Sequence, residues 1–496
     1  MSGPHVHDFV AIGLGPFNLG LACLSEPLRS SGQLDGVFLE ARERFDWHPG
    51  MLLDDATLQV PFLADLVTMA DPTSRWSFLN YLKQVDRLYP FYIRESFYPL
   101  RREYDDYCRW AAERVPGVRF GQRVVDVRRA AASYAVTTAA GEVVHGRRLV
   151  VGIGTAPYVP EALRPVVSRL AGARTSTTGG VAGTRTSTTG GLAVARTSTA
   201  GGLAGARTST TGTPGPAVHS ADYLAHRDRL RQCSSVTVVG SGQSAAEVYH
   251  DLLASSPDHD YTLTWLTRSP RFFPMEYTKL TLEMTSPDYA AYHRRLPVDV
   301  RDRLGREQRH LFKGISGDLV DAISDLHYRL RVSGDGPRTT LLTNSAVTGA
   351  RREETFYDLD VLHTETGEEF GVQTEGLVLA TGYAPTEPDF LGGVADRVRR
   401  DERGRYAVAD DYSVDVDGGG IFVQNAEEHT HSVLAPDLGM GAYRNSVLIA
   451  RMLGREVYPV ERRIAFQEFG APPPTRAEPD LESPAEDGDV RVTVTA

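Results

Sequence analysis

Twice along this chain a continuously apolar run ends at a glycine, a second glycine follows two positions later, and an amphipathic stretch begins. The first instance is DFVAIG (Asp8–Gly13), followed by Gly13-Leu14-Gly15-Pro16-Phe17-Asn18 and the helical pattern NLGLACLSEPL. The second is SVTVVG (Ser235–Gly240), followed by Gly240-Ser241-Gly242-Gln243-Ser244-Ala245 and AAEVYHDLL. A strand without polar alternation must be covered on both faces, which parallel sheets flanked by helices achieve. Similar runs recur in GVFLE (Gly36–Glu40), LVVGIG (Leu149–Gly154), YTLTWL (Tyr261–Leu266), LVLATG (Leu377–Gly382) and IFVQN (Ile421–Asn425). The expected fold class is α/β, with two Rossmann-like dinucleotide-binding domains.

The chemistry of each turn follows from its residues. Gly13 permits the tight bend, Gly15 lets a pyrophosphate approach the backbone, and the helix N-terminus at Pro16 offers N–H groups and a positive dipole end. Asn18 stands where the common fingerprint has a third small residue. Glu40, closing the next strand, is the acid expected to hold a ribose hydroxyl. At the second turn Gly240, Gly242, Gln243 and Ser244 form the corresponding cradle, but the next strand leads into Thr267-Arg268-Ser269 with no acid. Arg268 would pair with a 2′-phosphate that an acid would repel, which points to NADPH. Two such sites imply a hydride passed between two redox cofactors, with FAD at the first and NADPH at the second.

Composition narrows the partners. The 53 basic and 64 acidic side chains give a formal charge of -11, which argues against nucleic acid as a partner. No apolar run approaches the roughly 18 residues of a membrane helix, and Met1–Val10 does not read as a signal peptide; a cytoplasmic location is expected. Cys23, Cys108 and Cys233 are far apart, so neither a disulfide framework nor a metal site nor a dithiol acceptor is expected. A unit reading RTSTTGG and its variants starts at Arg174, Arg185, Arg196 and Arg207. It lacks a bulky apolar stripe, so residues 166–216 are expected to be a flexible low-complexity insertion, with 471–496 a disordered tail.

Several further segments carry a resemblance. GLGPFN, FDWHPGM (Phe45–Met51), LQVPFLADL (Leu58–Leu66), DPTSRWSFLNYL (Asp71–Leu82), GSGQSAAE, LATGY (Leu379–Tyr383), HTHS (His429–Ser432) and DLGMGAYRNS (Asp437–Ser446) resemble the flavin-dependent N-hydroxylating monooxygenases of siderophore synthesis. That family includes lysine, ornithine and diamine hydroxylases. The resemblance implies FAD, NADPH, O2 and a primary amine substrate, with oxygen captured on reduced flavin as a C4a-hydroperoxide and passed to an uncharged nitrogen. It places Trp47, His48 and Met51 along the flavin, Gln59 beside the reacting centre, and Thr381, Gly382 and Tyr383 against the cofactors. His48, Met51 and Gln59 are the expected catalytic residues. It also implies a homo-oligomer, a dimer or tetramer.

One departure bears on the substrate. Amino-acid hydroxylases of the family carry a lysine in the segment matching Phe62–Leu66, where it grips the substrate carboxylate; this chain has Ala64. A serine of those enzymes corresponds to Gly439, near Asp437. Leaving a carboxylate unpaired in a desolvated site costs on the order of several kcal/mol, so a substrate without one is expected. A diamine such as cadaverine or putrescine fits, with Asp437 as partner of its distal ammonium or, alternatively, as a helix cap before Leu438. Glu276 and Glu283 are secondary candidates. L-lysine is the alternative substrate, ornithine a lesser one, and a non-catalytic nucleotide-binding flavoprotein the alternative class. The expected layout is an FAD domain from residues 1–165 and 368–470, a nested NADPH domain over 217–367, and a helical substrate-facing part at 271–335.

Overall fold

The computed structural model describes residues 5–167, 212–334, 336–461 and 463–471. Its frame is two parallel five-stranded sheets. In the first, the strands run in the order Ile421–Val423, Leu149–Val151, Phe9–Ile12, Gly36–Leu39, Val118–Arg119. In the second the order is Ala217–His219, Gly376–Leu379, Ser235–Val239, Thr262–Leu266, Thr339–Leu342. Phe9–Ile12 and Gly36–Leu39 are buried at every residue, as their unbroken apolar sequence requires. In each sheet the strand that enters the Gly-x-Gly turn lies centrally, and the strand order reverses beside it. That topological switch point opens a crevice at the strands' C-terminal ends.

Helix Pro16–Ser30 follows the first turn and packs against Gly439–Leu453, a helix from the far end of the chain. Helix Gln243–Ser255 follows the second turn and packs against Gly317–Ser333. The chain crosses between the sheets twice, and the two crossings pair as an antiparallel ribbon, Thr155–Pro157 with Tyr383–Pro385. Between residues 279 and 333 lie the helices Lys279–Leu282, Pro287–Arg295, Val298–Glu307 and Gly317–Ser333. Pro287–Arg295 rests on Glu428–His431, so this part also touches the return segment.

The repeats and the tail from Pro472 lie outside the described residues. The edges of the expected insertion are packed rather than loose. Val166 is buried with Leu163 against Tyr357 and Leu359. The Tyr357 hydroxyl donates to the Gly215 carbonyl at 2.8 Å, and a Cβ on Gly215 would stand 2.4 Å from the Cys233 sulfur. Two smaller sheets flank the parallel ones: a mixed one, Val6–His7/Val143–Gly146/Ser133–Thr138/Val124–Ala130, in which Val6–His7 pairs in parallel and the rest antiparallel, and an antiparallel one, Ser345–Arg352/Tyr357–His363/Glu369–Thr374. Among the described residues no helix is long and apolar enough to cross a membrane.

Candidate active site

The first turn is built as a cradle. Gly13 has φ +87°, and a Cβ there would lie 2.6 Å from the Gly152 carbonyl oxygen, so only glycine fits between the two strands. A Cβ on Gly15 would meet nothing within 4 Å. Gly15 is the N-cap, Pro16 occupies the first helical position, and no side chain caps the helix. The free N–H groups therefore face an open approach, which fits a pyrophosphate.

Asn18 does not join them. It is buried, its amide donates to the Gly13 carbonyl at 2.7 Å, and its oxygen accepts from Gln424 at 2.7 Å. Its side chain is thus a brace that holds the turn from beneath. Glu40 is buried beside the turn, accepting from the Leu14 N–H at 2.7 Å and from the Arg42 N–H and Nε at 2.9 and 3.0 Å. Burial opposes its ionisation, but the Arg42 contacts outweigh that and hold the carboxyl below its ordinary range.

At the second turn a Cβ on Gly240 would lie 2.2 Å from the Ala380 carbonyl oxygen. Gly242 is the uncapped N-cap of Gln243–Ser255, so this N-terminus too offers free donors. Trp265, stacked on Tyr249, donates from Nε1 to the Gly240 carbonyl at 2.8 Å and supports the loop from below. Arg268 is exposed at the end of Thr262–Leu266, with no ion pair to any described residue. A free cation at that position fits a 2′-phosphate.

Between the turns, FDWHPGM bends through His48, which has φ +49°. His48 is exposed in this structure, yet desolvation by the surrounding protein first, then the Arg101 and Arg42 charges, push its pKa down to about 4. Its ring meets Tyr383 edge-on at 5.3 Å, Trp47 lies 5.1 Å away, and Tyr383 also meets His219 at 5.3 Å. The Tyr383 hydroxyl is buried without a partner among the described residues, and burial pushes its pKa up to about 12. His219, fully buried, accepts the Ala221 N–H at Nδ1 and so donates from Nε2 to the Gly382 carbonyl at 3.0 Å. Gly382 itself has φ +83°, and the Thr381 hydroxyl donates to the Tyr158 carbonyl across the ribbon.

Met51 does not join this group. It is buried in the second apolar core with Leu53, Val218 and Tyr223. The turn at Gly50 forces it there, because a Cβ on Gly50 would overlap the Ala221 carbonyl at 1.8 Å. In this structure the methionine packs in that core and pins FDWHPGM to the second sheet.

Gln59 reaches the other turn. Its Nε2 donates to Gln243 Oε1 at 3.1 Å and lies 2.9 Å from the Met275 sulfur, to which the Tyr277 hydroxyl also donates at 3.3 Å. The Gln243 side chain, expected on the cofactor, instead bridges Gln59, the Ser316 N–H at 2.8 Å and Glu247 at 2.9 Å. Glu247 is in turn gripped by Arg101 through two bonds of 2.7 and 2.8 Å. Ser244 follows Gln243 in the first turn of the helix, partly exposed.

The three expected substrate positions converge. A Cβ on Gly439 would lie 3.0 Å from Asp437 Oδ1 and 3.4 Å from the Ala64 Cβ. Asp437 Oδ1 accepts the Met440 N–H at 3.1 Å, so one oxygen does cap the Gly439–Leu453 helix. Desolvation raises the Asp437 pKa against the Met440 and Gly439 N–H groups and the Arg444 charge. Arg444 itself is fully buried and committed to Glu427 at 3.1 Å. Glu276 pairs with His310 on the surface, and Glu283 accepts from Gln467, so neither is free for a ligand. The one metal-compatible grouping among the described residues, His5, His7 and Asp35, sits at the N-terminal end of Phe9–Ile12, opposite the turn.

His219, Arg101, Glu247, Met275, Tyr277 and Trp265 escaped the sequence reading. Only Glu247 carried a signal, its i,i+4 spacing from Gln243 on one helix.

Comparison with known proteins agrees with this geometry. Residues 5–179 and 207–385 match the family described as L-lysine 6-monooxygenase/L-ornithine 5-monooxygenase. The putrescine N-hydroxylase of Shewanella oneidensis is 42% identical over 471 residues, covering 94% of this chain and 84% of that protein. Among solved structures, the FAD-bound cadaverine monooxygenase of desferrioxamine biosynthesis from Erwinia amylovora is 43% identical, with a TM-score of 0.82 over 95% of this chain and 99% of that one. The ornithine N-hydroxylase of Kutzneria sp. 744, solved with reduced FAD, NADP+ and L-ornithine, is 27% identical with a TM-score of 0.74, over 90% and 99% of the two chains. With a glycine turn at the head of each parallel sheet and a family match spanning most of its length, this chain belongs to the L-lysine 6-monooxygenase/L-ornithine 5-monooxygenase family.

Proposed function

We propose that this protein is an FAD- and NADPH-dependent monooxygenase that hydroxylates one terminal amine of a diamine, cadaverine or putrescine, to make an N-hydroxy diamine for a hydroxamate siderophore. The observation that carries the substrate is the meeting of Ala64, Asp437 and Gly439. This corner holds a carboxylate that no cation neutralises by a direct ion pair among the described residues, and the buried Arg444 beside it is already paired with Glu427. It suits an ammonium and would leave a substrate carboxylate without a partner. The similarity to enzymes named for putrescine and cadaverine supports the same reading.

The residues fit the cofactors. Gly13, Gly15 and the Pro16 helix start would hold the FAD pyrophosphate and Glu40 its ribose; Gly240, Gly242 and Arg268 would hold NADPH. Reduced flavin, when bound, activates O2 and supplies one oxygen atom to the amine. The chain's own task is to present that amine without its proton. A free alkylamine has a pKa of about 10.4, and an apolar surround lowers it by disfavouring the cation. Asp437 at the far end keeps the other nitrogen charged and so fixes which end reacts. His48, neutral across the physiological range, places no positive charge beside the reacting end.

The deciding experiment compares cadaverine, putrescine, L-lysine and L-ornithine side by side, scoring hydroxylamine formed per NADPH consumed. Both diamines are expected to exceed both amino acids in kcat/KM. A preference for lysine would overturn the substrate assignment, and peroxide without hydroxylamine from every amine would overturn the reaction.

A further inference from the structure

Gln59 and Gln243 meet across the cleft, and a glutamine amide can present either a donor or an acceptor. Here the choice is forced. Gln243 is held between two groups of fixed polarity: the Glu247 carboxylate, which accepts from its Nε2 at 2.9 Å, and the Ser316 backbone N–H, which donates to its Oε1 at 2.8 Å. Glu247 cannot turn away, because Arg101 clamps both its oxygens and also donates to the Met51 carbonyl at 3.0 Å. With Gln243 Oε1 fixed toward Gln59, the Gln59 Nε2 must face it. The Gln59 carbonyl oxygen is therefore the group left for a ligand.

We propose that Arg101, Glu247 and Gln243 are positioning residues that set the polarity of Gln59, so that Gln59 offers an acceptor to the N–H groups of its ligands. The inference rests on the monooxygenase reading for its functional consequence. An acceptor aligns an uncharged amine through its N–H and leaves the nitrogen lone pair turned away from Gln59, free to react. A flipped amide would present NH2 and compete for that lone pair. The relay also joins the second nucleotide turn to the substrate corner, since Gln243 opens the second helix and Gln59 lies on the loop that carries Ala64.

Gln243→Met removes both amide groups while leaving Arg101 and Glu247 paired. It is expected to lower the hydroxylamine formed per NADPH about fivefold, the effect of one lost hydrogen bond, and to move the amine KM less than about twofold. Glu247→Gln, which relaxes the polarity without removing atoms, is expected to give an intermediate loss. A double-mutant cycle of Gln59→Ala with Gln243→Ala, read as melting temperature, tests the link without any turnover. Non-additive shifts are expected, and additive ones would overturn the contact. A folded Gln243→Met protein that couples NADPH to hydroxylamine as well as the unaltered enzyme would overturn the relay. Absence of hydroxylamine from the unaltered enzyme would instead strike the monooxygenase reading, leaving the melting cycle to decide the relay alone.

Discussion

Asp437 and Arg268 are both charged, but their surroundings give them different weight. Asp437 lies in a desolvated corner where its raised pKa records how little water reaches it. Asp437→Asn keeps the Met440 cap through its oxygen and removes the charge, so the diamine KM is expected to rise about ten- to a hundredfold, with each tenfold worth about 1.4 kcal/mol. Bound FAD, read from the flavin absorbance, should be unchanged. An unmoved KM would return Asp437 to a plain helix cap. Arg268 is exposed, so its pairing with a 2′-phosphate is screened by salt. Arg268→Ala should raise the NADPH KM about tenfold at low ionic strength and less at high, with NADH unaffected. Residues of this kind were legible because each stands at a fixed offset from a motif. The side-chain partners of Met51 and Gln243 were not legible because they lie far away in sequence: Gln59 and Gln243 are 184 residues apart. No local spacing encodes such a meeting.

At the scale of elements, the two glycines of the first turn do different jobs, and a methyl group separates them. On Gly13 it would press on the Gly152 carbonyl at 2.6 Å and sit at φ +87°, a strain of about 1–3 kcal/mol before any packing loss. Gly13→Ala should therefore melt early whether or not FAD is present. On Gly15 the same methyl meets no protein atom, so Gly15→Ala should fold normally but lose affinity for FAD, because the methyl enters the pyrophosphate approach. Thermal melts of the two variants with and without FAD check this contrast. Equal melting penalties would deny Gly15 its role. Parallel strands such as Phe9–Ile12, Gly36–Leu39 and Gly376–Leu379 were readable from sequence because burial on both faces writes an unbroken apolar run. The antiparallel strands were not. Val124–Ala130 carries Asp126, Arg128 and Arg129 and has no apolar run, and one parallel strand, Ala217–His219, was missed as well because it is three residues long beside a low-complexity stretch.

At the scale of the whole molecule, the two sheets are fastened by Gly50 against Ala221, by the Arg101–Glu247 pair and by the paired crossings. Histidines gather along these seams. His219 lies under the Gly382 turn, while His293, His429 and His431 lie where helix Pro287–Arg295 meets the return segment. Burial lowers the pKa of each, His431 well below its ordinary value, and at the exposed His48 nearby protein and the Arg101 and Arg42 charges push it down to about 4. A histidine whose pKa is lower in the folded chain than in the unfolded one binds fewer protons when folded. Stability then rises with pH across the interval between the two values and falls as acid is added. For these groups that interval begins at the ordinary value of 6.5 and extends downward, to about 4 for His48. The melting temperature should thus decline steadily from about pH 7 to about pH 5, above the range where exposed carboxylates titrate. Turnover has a separate dependence: it should rise through mildly alkaline pH as the reacting amine loses its proton, where the melting temperature is level with respect to these histidines. If the melting temperature is flat between about pH 7 and about pH 5, buried neutral histidines do not hold the seams. If turnover is flat on the alkaline side, the uncharged amine is not the reacting form.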